Sequence, residues 1–323
     1  MTLNLTDTVF HDVEAARTWL EQSRWPNGPV CPHCSTGNML RLSGEGHRPG
    51  LFHCRECRGQ FSVLTGSVME SSHISLPKWV MAIRLMTSSK KDVSAHQLHR
   101  SLGITYKSAW FMAHRLREAM ADLKSSLIGG EVKVIETDET YHGKKKNPEP
   151  SPARKGRPYV HSGKAAAKRP VVALVERGGE ARAEYMRCVT SENIREFMDR
   201  TVDYRSRLHT DETVLYPSLG KQFASHETVN HSAKEYARGD VNNNRAEGFF
   251  GVFKRGMVGV YQHCGEQHFQ RYLDEFTFRY KNCTGLGVND TIRAERITLS
   301  MNGKRLTYRR IGGKKEIAST GFF

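Results

Sequence analysis

The stretch Val132-Lys-Val-Ile-Glu-Thr-Asp138-Glu-Thr-Tyr-His-Gly143 decides the fold of the chain. Its first residues alternate between apolar and polar, which predicts a short strand that is at least half buried. Three carboxylates, at Glu136, Asp138 and Glu139, crowd together where this pattern stops. We expect at least one of them to face a crevice at the carboxyl end of the strand. The alternative is a solvated strand end, because charged side chains are mostly exposed.

Two further segments carry acids in a related setting. The segment Ser206-Arg-Leu-His-Thr-Asp211-Glu-Thr repeats the tetrapeptide Thr-Asp-Glu-Thr behind a second short strand. Residues 242–255 have apolar side chains at helical spacing, and Glu247 lies seven residues before Lys254, which puts both on one helix face. Three carboxylates from two strands and a helix can hold two Mg²⁺ or Mn²⁺ ions for phosphoryl transfer. This constellation is typical of nucleases and transposases.

These residues resemble a known family. The similar segments are Glu136-Thr-Asp138-Glu-Thr-Tyr-His-Gly143, His209-Thr-Asp211, Asn244-Arg-Ala-Glu247-Gly-Phe-Phe-Gly-Val-Phe-Lys254-Arg-Gly, Gly259-Val-Tyr-Gln-His263 and the run from Phe269 to Asn282. They are similar to segments of the ISXO-like DDE insertion-sequence transposases. The resemblance implies an α/β RNase H-like domain, a mixed sheet flanked by helices, behind an amino-terminal zinc ribbon.

The resemblance also implies which residues bind the catalytic metals: Asp138, Asp211 and Glu247. Some relatives carry Asn as the third residue, so Asn244 is the alternative to Glu247. We keep Glu247 because an anionic oxygen binds Mg²⁺ better than an amide does.

The composition points to a nucleic-acid partner. The 323 residues include 49 Lys and Arg against 34 Asp and Glu, a formal charge of +15 with a pI near 9.6. Such a chain is attracted to polyanions, of which DNA is the commonest. We find no apolar run of the roughly 20 residues that a membrane span needs, and no signal peptide at the amino terminus. The sequence therefore predicts a cytoplasmic DNA-binding protein that does not contact a membrane.

Four of the seven cysteines form two CxxC pairs, Cys31-Pro-His-Cys34 and Cys54-Arg-Glu-Cys57, with nineteen residues between them. This spacing predicts one structural zinc ion held by four thiolates. Two disulfides are the alternative, but they need an oxidising compartment. The adjacent histidines, His33 and His53, could replace a thiolate; we expect four sulfurs, which leaves no open position for catalysis at this metal.

Residues 94–120 predict two helices joined at Gly103, a pattern typical of a helix-turn-helix. The second helix of this motif enters the major groove, so Lys107 lies at the position that contacts DNA. We interpret His114 and Arg115 as phosphate contacts. An ordinary helical hairpin is the alternative, because glycine at a helix end is common.

A basic loop over residues 143–169 begins beside Asp138 and includes Lys144, Lys145 and Lys146. Its prolines and like charges exclude a packed element, and we expect it to grip substrate phosphates rather than to be only a solvated linker. Strands near 170–176 and 183–189, a helix capped by Ser191 and the strand ending at Asp211 follow. In an RNase H-like domain this order places Asp138 and Asp211 on neighbouring strands.

We therefore expect four parts. They are a zinc ribbon with an amino-terminal helix (1–72), a helix-turn-helix region (73–128), an RNase H-like DDE catalytic domain (129–290) and a basic carboxyl-terminal tail (291–323).

The predicted function is a transposase that binds the inverted repeats of its element and joins the cut ends to target DNA. Lys254 and Arg255 are the expected DNA contacts near the metals, and the handling of two ends implies a homodimer or larger assembly. Two alternatives stay open: a DNA-binding regulator without catalysis, and an RNase H-like nuclease that cuts without joining. A covalent intermediate on Tyr141 or Tyr261 is also left open.

Overall fold

The computed structural model describes residues 4–121, 126–145, 168–230, 233, 235 and 237–307. The amino-terminal elements form a ribbon and a set of helices. A short helix follows Asp12, whose carboxylate accepts a hydrogen bond from Ala15 N at 2.7 Å and caps the first turn. The elements of this part are α1 (Val13–Arg24), an antiparallel sheet of β1 (Met39–Leu42), β2 (Leu51–Cys54) and β3 (Gln60–Phe61), and the helices α2 (Leu76–Ser88), α3 (Ala95–Leu102) and α4 (Tyr106–Met120).

The predicted pair of helices in residues 94–120 is confirmed. Helix α3 ends at Gly103, whose φ of +58° lies in the left-handed region that glycine adopts without strain. Thr105 then begins α4, and its hydroxyl accepts a hydrogen bond from Ser108 N at 3.2 Å. The two helices pack against each other through buried Leu98 and Leu116.

A late helix completes this amino-terminal core. Helix α9 (Asp290–Ser300) packs against α1, α2 and α4, and its Ile297 and Ala294 are fully buried. Each large apolar side chain buried in this way contributes about 1.5–3 kcal/mol. The ribbon, the helices α2, α3 and α4, and α9 share one hydrophobic cluster, which includes Leu20, Phe61, Trp79, Leu98, Leu116 and Ile297. The start of the region that we expected to be a tail is therefore a packed helix, and residues 308–323 lie outside the described part.

The second part of the chain is built on a five-stranded sheet with the strand order β10-β9-β5-β6-β7. Strands β5, β6 and β7 pair antiparallel, whereas β9 pairs parallel with both β5 and β10. The predicted order of three strands, a helix and a strand is confirmed. The strands are β5 (Val134–Lys144), β6 (Lys168–Glu176), β7 (Ala181–Tyr185), β9 (Arg207–Thr210) and β10 (Ser225–Thr228).

Helices cover both faces of this sheet because side chains on a strand alternate between them. Val171, Ala173 and Val175 of β6 pack under α7 (Asn244–Gly256) and α8 (Phe269–Lys281). Val172 and Leu174 pack on the opposite side with α5 (Ser191–Asp199) and α6 (Pro217–Gly220). The remaining elements are the pairs β4 (Ile128–Gly129) with β8 (Val202–Asp203) and β11 (Ala237–Arg238) with β12 (Val241–Asn242), and a π-helical turn (Met257–Tyr261) after α7.

Two local expectations are corrected. Thr190, rather than Ser191, caps α5, because its hydroxyl accepts from Asn193 N at 3.2 Å. Strand β5 begins at Val134; Val132 is 92% exposed in a turn with φ +66°. The strand also continues past the acids to Lys144, because β6 pairs with it along nearly its whole length. Among the described residues, no helix has the length and apolar character of a membrane span.

Candidate active site and metal centres

Asp138 and Asp211 meet where the parallel pairing of β5 and β9 ends. The last paired residues are Glu136 and His209; Asp138 follows two residues later within β5, and Asp211 follows two residues later, just beyond the end of β9. The prediction that they lie on neighbouring strands is confirmed. Strand β5 continues beyond this point whereas β9 ends at Thr210, so Asp138 lies within β5 and not at its carboxyl end, where we had expected a crevice.

Burial and several neighbouring acids raise the pKa of Asp138. The pKa of Asp138 is raised to about 7, chiefly by burial and next by the neighbouring Glu139 carboxylate. Asp211 and Glu247 add smaller contributions in the same direction, against a hydrogen bond that Asp138 Oδ1 accepts from Glu139 N at 2.8 Å. Asp138 is thus close enough to both Asp211 and Glu247 for their negative charges to disfavour its own. A cation between them would relieve this repulsion.

Glu247 reaches this site because a buried carboxylate holds the start of α7. Glu136 is completely buried, and its Oε2 accepts from Arg245 N at 2.7 Å and from Ala246 N at 3.3 Å. These amides belong to the first turn of α7, where a helix leaves N–H groups without partners and carries positive partial charge. Glu247 is exposed in the same turn. The strand that carries Asp138 therefore also fixes the helix that carries Glu247.

Arg177 completes this arrangement, and its role was not predicted from the sequence. Its Nε donates to Glu136 Oε1 at 2.6 Å, and its terminal nitrogens reach Asp240 O at 2.7 Å, Asn242 O at 3.1 Å and His209 Nδ1 at 3.3 Å. One guanidinium thus connects β5, β9 and the segment that enters α7. For Glu136 itself the sequence did contain a signal. Glu136 and Asp138 lie two residues apart on β5, and side chains at that spacing lie on the same face of a strand.

Glu139 lies on the face of β5 opposite to that of Glu136 and Asp138, so its side chain contacts a different set of residues. Tyr216, which is fully buried, donates its hydroxyl to Glu139 Oε2 at 2.6 Å. Burial raises the pKa of Glu139, and this hydrogen bond opposes the rise. Glu139 is therefore held by Tyr216, a partner that residue spacing did not indicate, while its charge still raises the pKa of Asp138.

The three predicted metal ligands, Asp138, Asp211 and Glu247, fit a hard cation in donor type, since Mg²⁺ and Mn²⁺ prefer carboxylate oxygens. Their oxygens are not gathered into a tight cage, however. Within the part of the chain that the structure describes, one group of His, Cys, Asp or Glu ligand atoms lies mutually within 4.8 Å, and it consists of Cys31, Cys34, Cys54 and Cys57. An open set of carboxylates agrees with the way Mg²⁺ is commonly held, by one or two carboxylates together with water and substrate phosphates.

The four cysteines form a structural zinc site. The Sγ atoms of Cys31 and Cys57 are 3.6 Å apart and those of Cys34 and Cys54 are 3.5 Å apart, far longer than a disulfide bond of about 2.05 Å. Hydrogen bonds from backbone amides lower the pKa of Cys54 to about 7, which favours the thiolate that binds metal. The expected set of four sulfurs is confirmed, with neither His33 nor His53 in the group.

The residues that we predicted as DNA contacts are spread over several surfaces. Lys254 and Arg255 are exposed in the last turn of α7, and Asn244 is exposed at its start. Lys144 is exposed, and Lys145 Nζ donates to Arg187 O at 2.6 Å. Lys146 and most of the basic loop lie outside the described residues.

The expected contacts on α4 differ from one another. Lys107 is exposed, whereas Arg115 is half-buried with its guanidinium 4.6 Å from the ring centre of Phe111. The interpretation of His114 as a phosphate contact is wrong, because this side chain is 1% exposed.

Tyr261, one of the tyrosines left open as a nucleophile, donates its hydroxyl to Glu275 Oε2 at 2.7 Å.

Comparison with known proteins agrees with this architecture. Residues 128–281 match the family model of the ISXO2-like transposase domain, and residues 12–60 match that of the transposase zinc-ribbon domain. A protein of Halobacterium salinarum, described as an uncharacterized protein in transposable element ISH50, is 27% identical over 271 residues, which cover 82% of this chain and 89% of that protein.

Among solved structures, two complexes of the Mos1 transposase show a weak similarity. The paired-end complex with the left transposon end is 12% identical, with a TM-score of 0.28 over 70% of this chain and 79% of that one. The strand transfer complex is 11% identical, with a TM-score of 0.26 over 71% and 79%. The two family matches together span more than half of the chain, which belongs to the ISXO2-like insertion-sequence transposases.

Proposed function

We propose that this chain binds the terminal inverted repeats of its insertion sequence and catalyses DNA cleavage and strand transfer by a DDE two-metal mechanism. The observation that supports it best is the shared level of Asp138 and Asp211 on adjacent strands, with Glu247 close enough to raise the pKa of Asp138. Asp138, Asp211 and Glu247 are the proposed metal ligands. Mg²⁺ or Mn²⁺ held there would activate the attacking oxygen and stabilise the leaving oxygen of an in-line displacement.

The protein side chains position the DNA in this proposal. Lys254 and Arg255, exposed on the helix that carries Glu247, bind phosphates beside the scissile bond, and the basic loop over residues 143–169 provides further phosphate contacts. The helix-turn-helix of α3 and α4 binds the inverted repeat through the exposed start of α4, where Lys107 lies. Because two ends must be joined to one target, we propose that at least two copies act together.

The direct test uses the DNA that flanks the gene. Duplexes that carry its terminal repeats are incubated with a target plasmid, Mg²⁺ and either the unmodified protein or Asp138→Asn. We expect joined products only with the unmodified protein, and unchanged DNA binding for both. Glu131→Gln is the matched control, because Glu131 also lies next to β5 but its side chain is 78% exposed.

The outcomes separate the proposed function from its alternatives. Cleavage without joined products would identify a nuclease. Specific binding without metal-dependent cleavage would identify a DNA-binding regulator. Equal joining by Asp138→Asn and the unmodified protein would remove Asp138 from the catalytic set.

A further inference from the structure

A cavity of about 740 Å³ lies beside the helix-turn-helix, apart from the carboxylate site. Its walls come from the first half of α4, from the start of α8 and from residues 305–307. Its size falls within the range of about 300–1,000 Å³ that is common for ligand pockets. The cavity adjoins the part of α4 that a helix-turn-helix directs toward DNA.

The walls combine aromatic rings with cations. Tyr106 is 43% exposed and stacks on His96 with ring centres 4.2 Å apart, while Trp110 and Phe111 are half-buried. Lys107 and Arg305 are exposed at the rim. Flat rings beside positive charges are the combination that binds unstacked bases together with their phosphates.

The inner wall carries a polar group without a partner. His114 is 1% exposed, and neither of its ring nitrogens has a hydrogen-bond partner among the described residues. Burial lowers the pKa of His114 to about 2, and the nearby cations Arg117 and Arg271 act in the same direction. The ring is therefore neutral, with one nitrogen that donates and one that accepts. A buried polar group of this kind is costly unless something bonds to it.

We propose that this cavity takes one unpaired nucleobase of the DNA that the helix-turn-helix binds. The base stacks on Trp110, whose ring centre lies 4.1 Å from that of His114. Both His114 nitrogens are enclosed in the structure, so the His114 ring must turn toward the base before it bonds to the polar edge. Lys107 and Arg305 bind the flanking phosphates. A peptide with acidic groups would use the cations as well, but the flat aromatic wall and the neutral donor-acceptor ring favour a base. This assignment rests on the proposed function, since it requires that the protein bind DNA.

The test compares two fluorescein-labelled duplexes of about 30 base pairs in the absence of added Mg²⁺. One contains a single unpaired adenosine, and the other contains an abasic nucleotide at the same place. Fluorescence anisotropy at fixed low salt gives the affinity of the zinc-loaded, full-length protein for each. We expect about tenfold tighter binding to the adenosine duplex, as one base stacked on an aromatic ring provides.

Variants then assign the preference to the cavity. Trp110→Leu and His114→Leu are expected to bind both duplexes equally. Tyr106→Ala, which changes an exposed side chain and so leaves folding intact, is expected to reduce the preference. Lys107→Ala is expected to weaken both duplexes alike, because a phosphate contact does not distinguish them. Leu127→Ala is the control, since Leu127 is an exposed apolar residue outside the cavity.

The results also separate this site from the catalytic proposal. Equal binding of both duplexes by the unmodified protein would overturn the nucleobase site, and so would a preference that persists in Trp110→Leu and Tyr106→Ala. Neither result affects the joining assay, which depends on Asp138. A preserved base preference without any joined product would uphold the cavity assignment and refute the catalytic one.

Discussion

Glu136→Gln tests how the strand that carries Asp138 controls the helix that carries Glu247. The substitution keeps the size of the side chain but removes its charge, and it leaves one acceptor oxygen for donors that arrive from Arg177 and from two backbone amides. Removing one partner of a buried ion pair costs about 3–5 kcal/mol, and the interaction of a carboxylate with a helix amino terminus is worth up to about 2 kcal/mol.

We expect the loss of stability in Glu136→Gln to lie near the lower end of the range of about 3–5 kcal/mol for a broken buried ion pair. Arg177 is about one quarter exposed, so water partly compensates the guanidinium that is left without a carboxylate. We expect the free energy of unfolding to fall by about 3 kcal/mol, measured by urea denaturation of the zinc-loaded protein. Joining activity should fall further than the folded fraction does, because the start of α7 moves together with Glu247.

A double-mutant cycle makes this prediction specific. Arg177→Met should cost a similar amount alone, and the double variant should cost clearly less than the two single losses combined, since the partners are in direct contact. Glu131→Gln serves as the charge control. A loss below about 1 kcal/mol for Glu136→Gln, or strict additivity in the cycle, would show that the Glu136–Arg177 pair does not hold α7.

Three further predictions concern other parts of the molecule. Cys34→Ser should remove zinc and lower the melting temperature of the amino-terminal core, as metal analysis and calorimetry would show; full zinc content would contradict the four-sulfur site. Glu275→Gln should destabilise the protein by about 3–5 kcal/mol in urea, because fully buried Glu275 Oε2 accepts from Arg117 Nε at 2.7 Å. Asp274→Asn should stabilise the protein at pH 8 by up to about 3 kcal/mol, and less as the pH falls toward 5.

The sign of the last effect follows from the raised pKa of Asp274. Burial raises this pKa from 3.8 to about 6, against a hydrogen bond from Gln270. The stability that the protonated acid provides is complete below the unfolded value of 3.8 and is lost as the pH rises through about 6. Asparagine is neutral at every pH and retains the oxygen that accepts from Gln270. A gain that is the same at pH 5 and pH 8 would contradict this account.

Local signals in the sequence were sufficient for several elements. The amino-terminal helix that we expected is present and is capped by Asp12, and Gly103 separates the two helices predicted in residues 94–120 because it tolerates a positive φ. The four cysteines were identifiable from two CxxC pairs alone. These features depend on residues a few positions apart, or on a metal that requires a fixed set of ligands.

Features that depend on distant partners were missed. The sequence placed Glu136 beside Asp138 in one acidic group, but Arg177, 41 residues away, and the amides of α7 make it a buried anchor. His114 has the chemistry of a phosphate contact, and the helix α8 that covers it begins only at Phe269. Residue spacing within a segment does not reveal which face a later segment will bury.

The position of α9 has a consequence for the order in which the protein folds during synthesis. Asn302 accepts a hydrogen bond from Arg24 at 2.5 Å, and Ile297, Ala294 and Met301 join a core that is otherwise made from residues 9–120 and Phe278. A ribosome that has released only the first 290 residues has therefore delivered helices α2, α3 and α4 without the segment that closes their core. Prematurely terminated chains would keep this apolar surface exposed, and we expect cells to degrade them faster than the full-length protein.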